Sequence, residues 1–109
     1  MNGVVHVGAL KLPDDFDDYS WEVEAKGVFW DVQLRHAGHE YELTFYDPTR
    51  LSQDIREQLE SGRPFVEKNV VVVKSVTRDE MEAAARYLIE VEGLDHLRER
   101  WHQAPVTDE

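Results

Sequence analysis

The feature that most constrains this chain is a pair of alternating segments separated by a short turn sequence. Apolar residues recur at every second position, first at Val28, Trp30, Val32 and Leu34, and then at Tyr41, Leu43 and Phe45. This period is typical of β-strands, whose successive side chains point to opposite faces. Ala37-Gly38 lies between the two segments and suits a turn. The pattern predicts an antiparallel hairpin of Val28–Arg35 and His39–Tyr46.

Two further strands are predicted before this hairpin. Val4–Leu12 alternates weakly, whereas Trp21–Ala25 alternates well, with Glu22 and Glu24 on the polar face. The apolar parity then reverses at Lys26-Gly27, and a reversal of parity requires a bulge or a turn. If the chain bulges there, Trp21–Arg35 is one strand and the sheet has one strand fewer.

The period changes to that of a helix after the hairpin. Asp47 suits an N-cap and Pro48 the first helical position. An apolar stripe then follows one helical face, and Gly62 suits the position just after the helix. The residues of the stripe are Leu51, Ile55 and Leu59.

The run Asn69–Val76 is apolar on both faces and rich in β-branched residues, so it predicts a central strand. Thr77 and Glu80 form a capping-box pattern that begins a second helix, which Gly93 ends. A last short helix is marked by Leu94, Leu97 and Trp101. The buried stripe of the second helix is predicted to be Met81, Ala84, Ala85, Leu88 and Ile89.

These elements predict an α+β fold. We expect a mostly antiparallel sheet of four to five strands, with two main helices packed on one face and a short C-terminal helix. A chain of 109 residues is long enough for one core. Residues 1–102 are therefore assigned to a single α+β domain. The segment 103–109, rich in turn formers, is expected to be a frayed tail.

Charge and composition exclude several classes of function. The formal net charge of −11 and the lack of a basic patch argue against binding to nucleic acid. The chain has no cysteine, so disulfides and thiolate metal sites are excluded. The longest apolar run, Val70–Val73, is far shorter than a membrane span, and the N-terminus does not resemble a signal peptide. We therefore expect a cytoplasmic protein that binds neither membrane nor nucleic acid.

Templates for catalysis are missing from the sequence. No serine lies in a G-x-S-x-G motif, and the glycines form neither a phosphate-binding loop nor a dinucleotide fingerprint. We expect no enzyme activity and no cofactor. The most metal-like cluster is formed by His36, His39 and Glu40, at the predicted hairpin turn. It supports an alternative hypothesis, in which a small metal- or ligand-binding enzyme uses the sheet face.

The segment Leu12–Glu24 combines aspartates with aromatic residues: Asp14, Asp15, Asp17 and Asp18 surround Phe16 and precede Tyr19 and Trp21. Its acids do not fit the register of an EF-hand, which needs Gly at the sixth and Glu at the twelfth position. Aromatic anchors beside charge are typical of electrostatically steered interfaces. The alternative is that Phe16 and Trp21 point into the core and the aspartates solvate a loop.

The middle and C-terminal parts of the chain resemble a family of small bacterial immunity proteins from polymorphic toxin systems. The resemblance includes a glycine-containing hairpin, an aromatic-alternating strand that ends in x-Pro-x-x-Leu, and an apolar strand followed by a helix with an acidic first turn. The matching positions are Gly38, Tyr41, Leu43, Phe45, Pro48, Leu51, Val70–Val73, Glu80, Met81 and Leu88.

The resemblance implies a non-enzymatic protein that neutralises a cognate toxin domain by protein–protein binding. Many such toxins are nucleases with basic clefts, for which an acidic inhibitor is physically well suited. We expect a monomer or a homodimer. A structural homo-oligomer that pairs through an exposed edge strand is a further alternative. The predicted partner-binding residues are Asp14, Asp15, Asp17, Asp18, Tyr19 and Glu22, with Glu40 and Glu42 as a second acidic strip.

Overall fold

A computed structural model describes residues 10–94 and Leu97. Within these residues the fold is α+β, as predicted, with one four-stranded sheet in the order β1-β2-β3-β4. A π-helical segment, Leu88–Glu92, directly follows the last α-helix. The elements are β1 (Leu10–Lys11), α1 (Phe16–Lys26), β2 (Val28–His36), β3 (His39–Tyr46), α2 (Pro48–Glu60), β4 (Val70–Val72) and α3 (Arg78–Tyr87).

The predicted hairpin is confirmed: β2 and β3 pair antiparallel and are joined at Ala37-Gly38. Both turn residues have positive φ, 52° and 83°, as the twist of a two-residue hairpin loop requires. The register shifts between Phe29 and Val32, where Asp31 has a φ of 59°. This bulge overturns the simple alternation of β2, because Phe29, rather than Trp30, joins Val32 on the core side.

The strand predicted at Trp21–Ala25 is wrong, since these residues belong to the helix α1. Five alternating positions are too few to separate a period of 2 from one of 3.6. The residues that α1 buries, Phe16 and Val23, are spaced by two helical turns. A non-helical φ of −131° at Tyr19 kinks the helix after its first turn.

Gly27 ends α1 and explains the reversal of parity predicted at this point. It has a φ of 74° and donates its backbone N–H to the carbonyl of Val23, which is a left-handed helix cap. The carbonyl of Gly27 also accepts the backbone N–H of Asp47 at 2.8 Å. A Cβ atom at Gly27 would lie 2.5 Å from Oδ2 of Asp47, so another residue here would displace the carboxylate that caps α2.

The sheet is mixed rather than mostly antiparallel. β1 pairs antiparallel with β2, but β4 pairs parallel with β3. The reason is the intervening helix α2, because a strand–helix–strand crossover returns the chain in the same direction. The strand predicted within Asn69–Val76 is present as the three-residue β4. Its predicted central position is wrong, because β4 lies at one end of the strand order.

Both predicted helix starts after the hairpin are confirmed. Asp47 accepts the backbone N–H of Arg50 at 2.7 Å, and Thr77 accepts that of Glu80 at 3.3 Å. Gly62 follows α2 with a φ of 86°. Gly93 follows the π-helical segment that extends α3.

The packing of the two main helices on one face of the sheet, as predicted, is not confirmed. Phe45 of β3 lies in the core with residues of α1 and α3. Its neighbour Tyr46 points to the other face, where its hydroxyl donates to Asp54 of α2 at 2.8 Å. The stripe of α2 is half-buried at Leu51 and Ile55, and Leu59 is 59% exposed.

The core forms between the sheet and the helices α1 and α3, and the stripe predicted for the second helix contributes to it. Within residues 10–94, no helix has both the length and the apolar character needed to cross a membrane. Residues 4–9 of the predicted first strand, most of the predicted last helix (residues 95, 96 and 98–102) and the tail 103–109 lie outside the described residues. The buried apolar core consists of Leu10, Phe16, Val23, Val32, Leu34, Tyr41, Leu43, Phe45, Val73, Val76, Met81, Ala85 and Leu88.

Candidate protein-binding surface

The loop before α1 and the exposed side of this helix form an acidic surface around one large aromatic residue. We call Asp14, Asp15, Asp17, Asp18, Trp21 and Glu22 the acidic α1 surface; all six are exposed. Trp21 is 68% exposed, whereas Phe16 is fully buried. The structure thus separates the two aromatic residues for which the sequence left core and interface open. Phe16 anchors the helix to the core, and Trp21 faces solvent.

Tyr19 is half-buried rather than fully exposed. Its ring makes an edge contact with Phe16, with centroids 5.7 Å apart, and another with Phe29 at 6.5 Å. Desolvation, and secondarily the charge of Asp15, raises the pKa of the Tyr19 hydroxyl above its ordinary value. Tyr19 therefore stays neutral at physiological pH and adds an aromatic edge beside the carboxylates.

An ion pair holds the acidic segment against α3. The guanidinium of Arg78 donates to Oδ1 of Asp17 at 2.8 Å and also lies 5.5 Å from the centroid of the Phe16 ring. The hydrogen bond to Asp17 raises the pKa of Arg78. The start of α1 is therefore fixed by the buried ring of Phe16 and by the guanidinium of Arg78. This guanidinium contacts the face of that ring and the carboxylate of Asp17.

The carboxylates of α1 are placed where a helix tolerates them. Asp17 and Asp18 lie in the first turn, where the unpaired N–H groups carry partial positive charge. The segment Leu12–Glu24 contains six acids and no basic residue. The surface beyond Arg78 is therefore strongly negative, and it attracts cations over about 10 Å at moderate salt.

A cleft of about 370 Å³ lies between the start of α1 and the bulge in β2. Its walls include the aromatic residues Tyr19, Phe29 and Trp30, together with Lys11 and Asp31. At the bulge Trp30 is exposed, whereas Phe29 packs against the core, and both residues line the cleft. Tyr19 lines this cleft and directly follows Asp18 of the acidic α1 surface. The cleft is therefore an aromatic recess next to the surface at which a partner would bind.

The second predicted acidic strip lies apart from the first. Glu40 and Glu42 alternate along β3 with Tyr41 and Leu43, which face the core, so both glutamates belong to the opposite face of the sheet. Glu40 accepts a hydrogen bond from Nε of Arg35, its partner across the hairpin, at 3.1 Å. The structure therefore does not bring the two strips together into one surface.

The histidines of the metal hypothesis lie at the hairpin turn. His36 and His39 are opposite each other in the register and both are exposed. Across residues 10–94 and Leu97, no three residues among His, Cys, Asp and Glu are grouped so that they could hold a metal ion. The metal-binding enzyme remains a sequence-based hypothesis without added geometric support in this part of the chain.

A polar network on the far face of the sheet was not foreseen from the sequence. Asp54 accepts hydrogen bonds from the hydroxyl of Tyr46 and, at 2.9 Å, from Nε of Arg50. The guanidinium of Arg50 lies 5.7 Å from the ring centroid of Trp30 and donates to the carbonyl of Lys26 at 3.0 Å. These bonds fasten α2 to the sheet in addition to the half-buried part of its apolar stripe.

No protein-family model matches the chain, and no curated protein or solved structure is significantly similar to it.

Proposed function

We propose that this chain is a non-enzymatic, immunity-like binding protein that neutralises a cognate toxin domain by protein–protein contact. In this proposal it acts in the cytoplasm, and its partner is a basic domain that docks on the acidic α1 surface. The observation that carries the proposal is the 68% exposure of Trp21 among the carboxylates of α1. The resemblance of the hairpin and of α3 to immunity proteins gives the binding its biological role.

Trp21 has the properties of an interface anchor. A solvent-exposed indole has an unfavourable apolar contact with water, and tryptophan is the residue type most enriched among interface hot spots. Its helix is itself firmly placed, since Phe16 is buried and Arg78 bridges α1 and α3. A backbone that is already placed loses little conformational entropy when the anchor binds.

The carboxylates around Trp21 would select and steer the partner. Complementary charge raises the association rate of two proteins and disfavours partners of the same sign. A nuclease that binds the phosphate backbone needs a basic cleft. An acidic surface that occupies this cleft competes directly with nucleic acid, so inhibition requires no chemistry from this chain.

The test begins with the neighbouring reading frame, because immunity and toxin genes are adjacent in polymorphic toxin systems. The C-terminal domain of a large protein encoded there would be purified and titrated with this chain by calorimetry at two salt concentrations. We expect tight binding that weakens as salt rises, together with loss of the toxic activity. A product that neither binds this chain nor loses activity in its presence would contradict the proposal.

Variants then localise the contact. The quadruple Asp14/Asp15/Asp17/Asp18→Asn variant keeps the shape of the surface and removes its charge, and we expect slower association and a weaker dependence on salt. The matched control is Glu57→Gln/Glu60→Gln/Glu67→Gln/Glu90→Gln, which removes four exposed acids that lie outside α1. If both variants slow association equally, the attraction comes from net charge alone, and the assignment to α1 is wrong.

A further inference from the structure

The outer edge of β4 is open within the described residues. β4 pairs only with β3 there, through bonds such as the N–H of Thr44 to the carbonyl of Asn69 and the N–H of Val73 to the carbonyl of Tyr46. In a parallel ladder the backbone groups of alternate residues point to alternate sides. The N–H and C=O groups of Val70 and Val72 therefore point away from β3.

A groove of about 860 Å³ runs between this edge and α3. The strand side is formed by Val70–Val73, and the helix side by Ala83, Ala84, Tyr87 and Leu88. Alanine at two neighbouring positions leaves room between helix and strand, and Tyr87 is 55% exposed. The groove thus has apolar side chains on both walls and lies next to the hydrogen-bonding edge of β4.

The groove and the acidic α1 surface lie on different flanks of α3. At about 100° per residue, Arg78 and Glu82 share one flank of the helix, whereas Ala84 and Tyr87 share the other. Arg78 contacts Asp17 of α1, and Ala84 lines the groove. A molecule in the groove would therefore leave the acidic α1 surface accessible.

The charges of the groove indicate what could enter it. Three carboxylates line it, those of Glu67, Glu80 and Glu92, against one cation, Lys74, whose ammonium lies 3.9 Å from Glu80. A second copy of this chain would bring the same negative lining and a net charge of −11, so edge-to-edge pairing of two copies is opposed by repulsion. A segment with basic residues is attracted instead.

We propose that this groove binds an extended peptide segment of another protein, which adds a fifth strand to the sheet beside β4. The segment is apolar where its side chains face Ala84 and Leu88, and basic at its ends, where they meet the carboxylates of the lining. Its backbone pairs with Val70 and Val72, so affinity comes from main-chain bonds and specificity from the slot and the charges. This site goes beyond the proposed toxin-binding function and does not depend on it.

The direct test is amide hydrogen exchange of the full chain, with and without the synthetic peptide Lys-Lys-Val-Thr-Val-Thr-Val-Lys-Lys. The N–H groups of Val71 and Val73 face β3 and are expected to be protected in both states. We expect the peptide to slow exchange at Val70 and Val72 by about tenfold or more, because these amides gain a partner only in the complex. A peptide with glutamate in place of lysine should give no protection.

Two substitutions separate strand addition from nonspecific attraction. Val72→Pro removes an outward-facing N–H that β3 does not use, and proline is tolerated at such edge positions. We expect it to weaken peptide binding by about tenfold while the melting temperature changes little. Ala83→Lys, at an exposed helix position in the groove, should also weaken binding, whereas Ala83→Glu should not.

Five results would overturn the proposal. Binding without protection of Val70 and Val72, or equal binding by Val72→Pro, would show that no strand is added. Protection without peptide that grows with protein concentration would assign the edge to a second copy. Protection without peptide in dilute solution would show that the chain itself covers the edge. Failure of the basic peptide to bind would remove the charge argument as well.

Discussion

The guanidinium of Arg78 and the carboxylate of Asp17 lie 2.8 Å apart, although 61 positions separate them in the sequence. The same guanidinium contacts the ring of Phe16, which is buried in the core. A single arginine thus connects the first turn of α3, the first turn of α1 and the core. This connection holds the start of the acidic α1 surface in place, and it makes the rigidity of that surface testable.

Removal of Arg78 should cost more stability than removal of its partner charge. The Asp17 side chain is 78% exposed, so Asp17→Asn is expected to change the free energy of unfolding by less than about 0.5 kcal/mol. Arg78→Ala also loses the contact with Phe16 and the packing of the arginine stem, and we expect a loss of about 1 kcal/mol. Urea unfolding of both variants measures the difference. Equal effects would mean that the ion pair alone matters.

Phe16 and Trp21 should respond in opposite ways to truncation. Phe16→Ala leaves a cavity in the core and is expected to cost about 3–5 kcal/mol. Trp21→Ala removes a side chain that is 68% exposed, and we expect a change within about 0.5 kcal/mol. Thermal and urea unfolding distinguish the two. A large loss for Trp21→Ala would place this residue in the core and remove the anchor from the proposed interface.

Two glycines with similar backbone angles should differ in their tolerance of alanine. Gly27 and Gly62 have φ values of 74° and 86°, so both substitutions strain the backbone by about 1 kcal/mol. A methyl group at Gly27 would also collide with Asp47, whereas a methyl group at Gly62 would meet no atom within 4 Å. We expect Gly27→Ala to cost about 2–3 kcal/mol, clearly more than Gly62→Ala. Similar losses in urea unfolding would contradict the close approach of Gly27 and Asp47.

Tyr46 should make the stability depend on pH in the alkaline range. Burial, followed by the hydrogen bond to Asp54, raises the pKa of Tyr46 to about 12 from 10.0. The folded state then holds the phenolic proton more tightly than the unfolded state. This contribution is complete below pH 10 and is lost between pH 10 and 12, by about 3 kcal/mol at most.

The matched variant for this effect is Tyr46→Phe, which lacks the phenolic proton and should lose that part of the decline with pH. Urea unfolding at several alkaline pH values, with wild type and variant side by side, makes the comparison. Parallel declines in the two proteins would show that other groups cause the loss of alkaline stability.

The sequence predicted the parts of the fold that depend on local patterns. The hairpin followed from strict alternation around Ala37-Gly38, and the caps at Asp47 and Thr77 follow from side chains that bond the nearest backbone N–H groups. The strand at Trp21–Ala25 was wrong because a short alternating run fits either period. The segment forms a helix that buries Phe16 against core residues distant in the sequence, and the local pattern does not contain this information.

The candidate surface was only partly visible in the sequence. The aspartates could be located from the sequence alone. Whether Phe16 or Trp21 faces outward, however, depends on the rotation of α1 about its axis. That rotation is fixed by Phe29 and Arg78, which lie in other elements. Likewise, the open edge of β4 follows from the parallel crossover and not from the apolar character of the strand.

The most direct test of the central claim is the dissociation constant of the partner for Trp21→Ala, measured by calorimetry beside Leu59→Ala. Leu59, on α2, is exposed to a similar degree and serves as the control. We predict that Trp21→Ala weakens binding by about 30-fold or more, equivalent to about 2 kcal/mol, while Leu59→Ala binds like wild type. Unchanged affinity for Trp21→Ala in a folded protein would contradict the assignment of α1 as the binding surface.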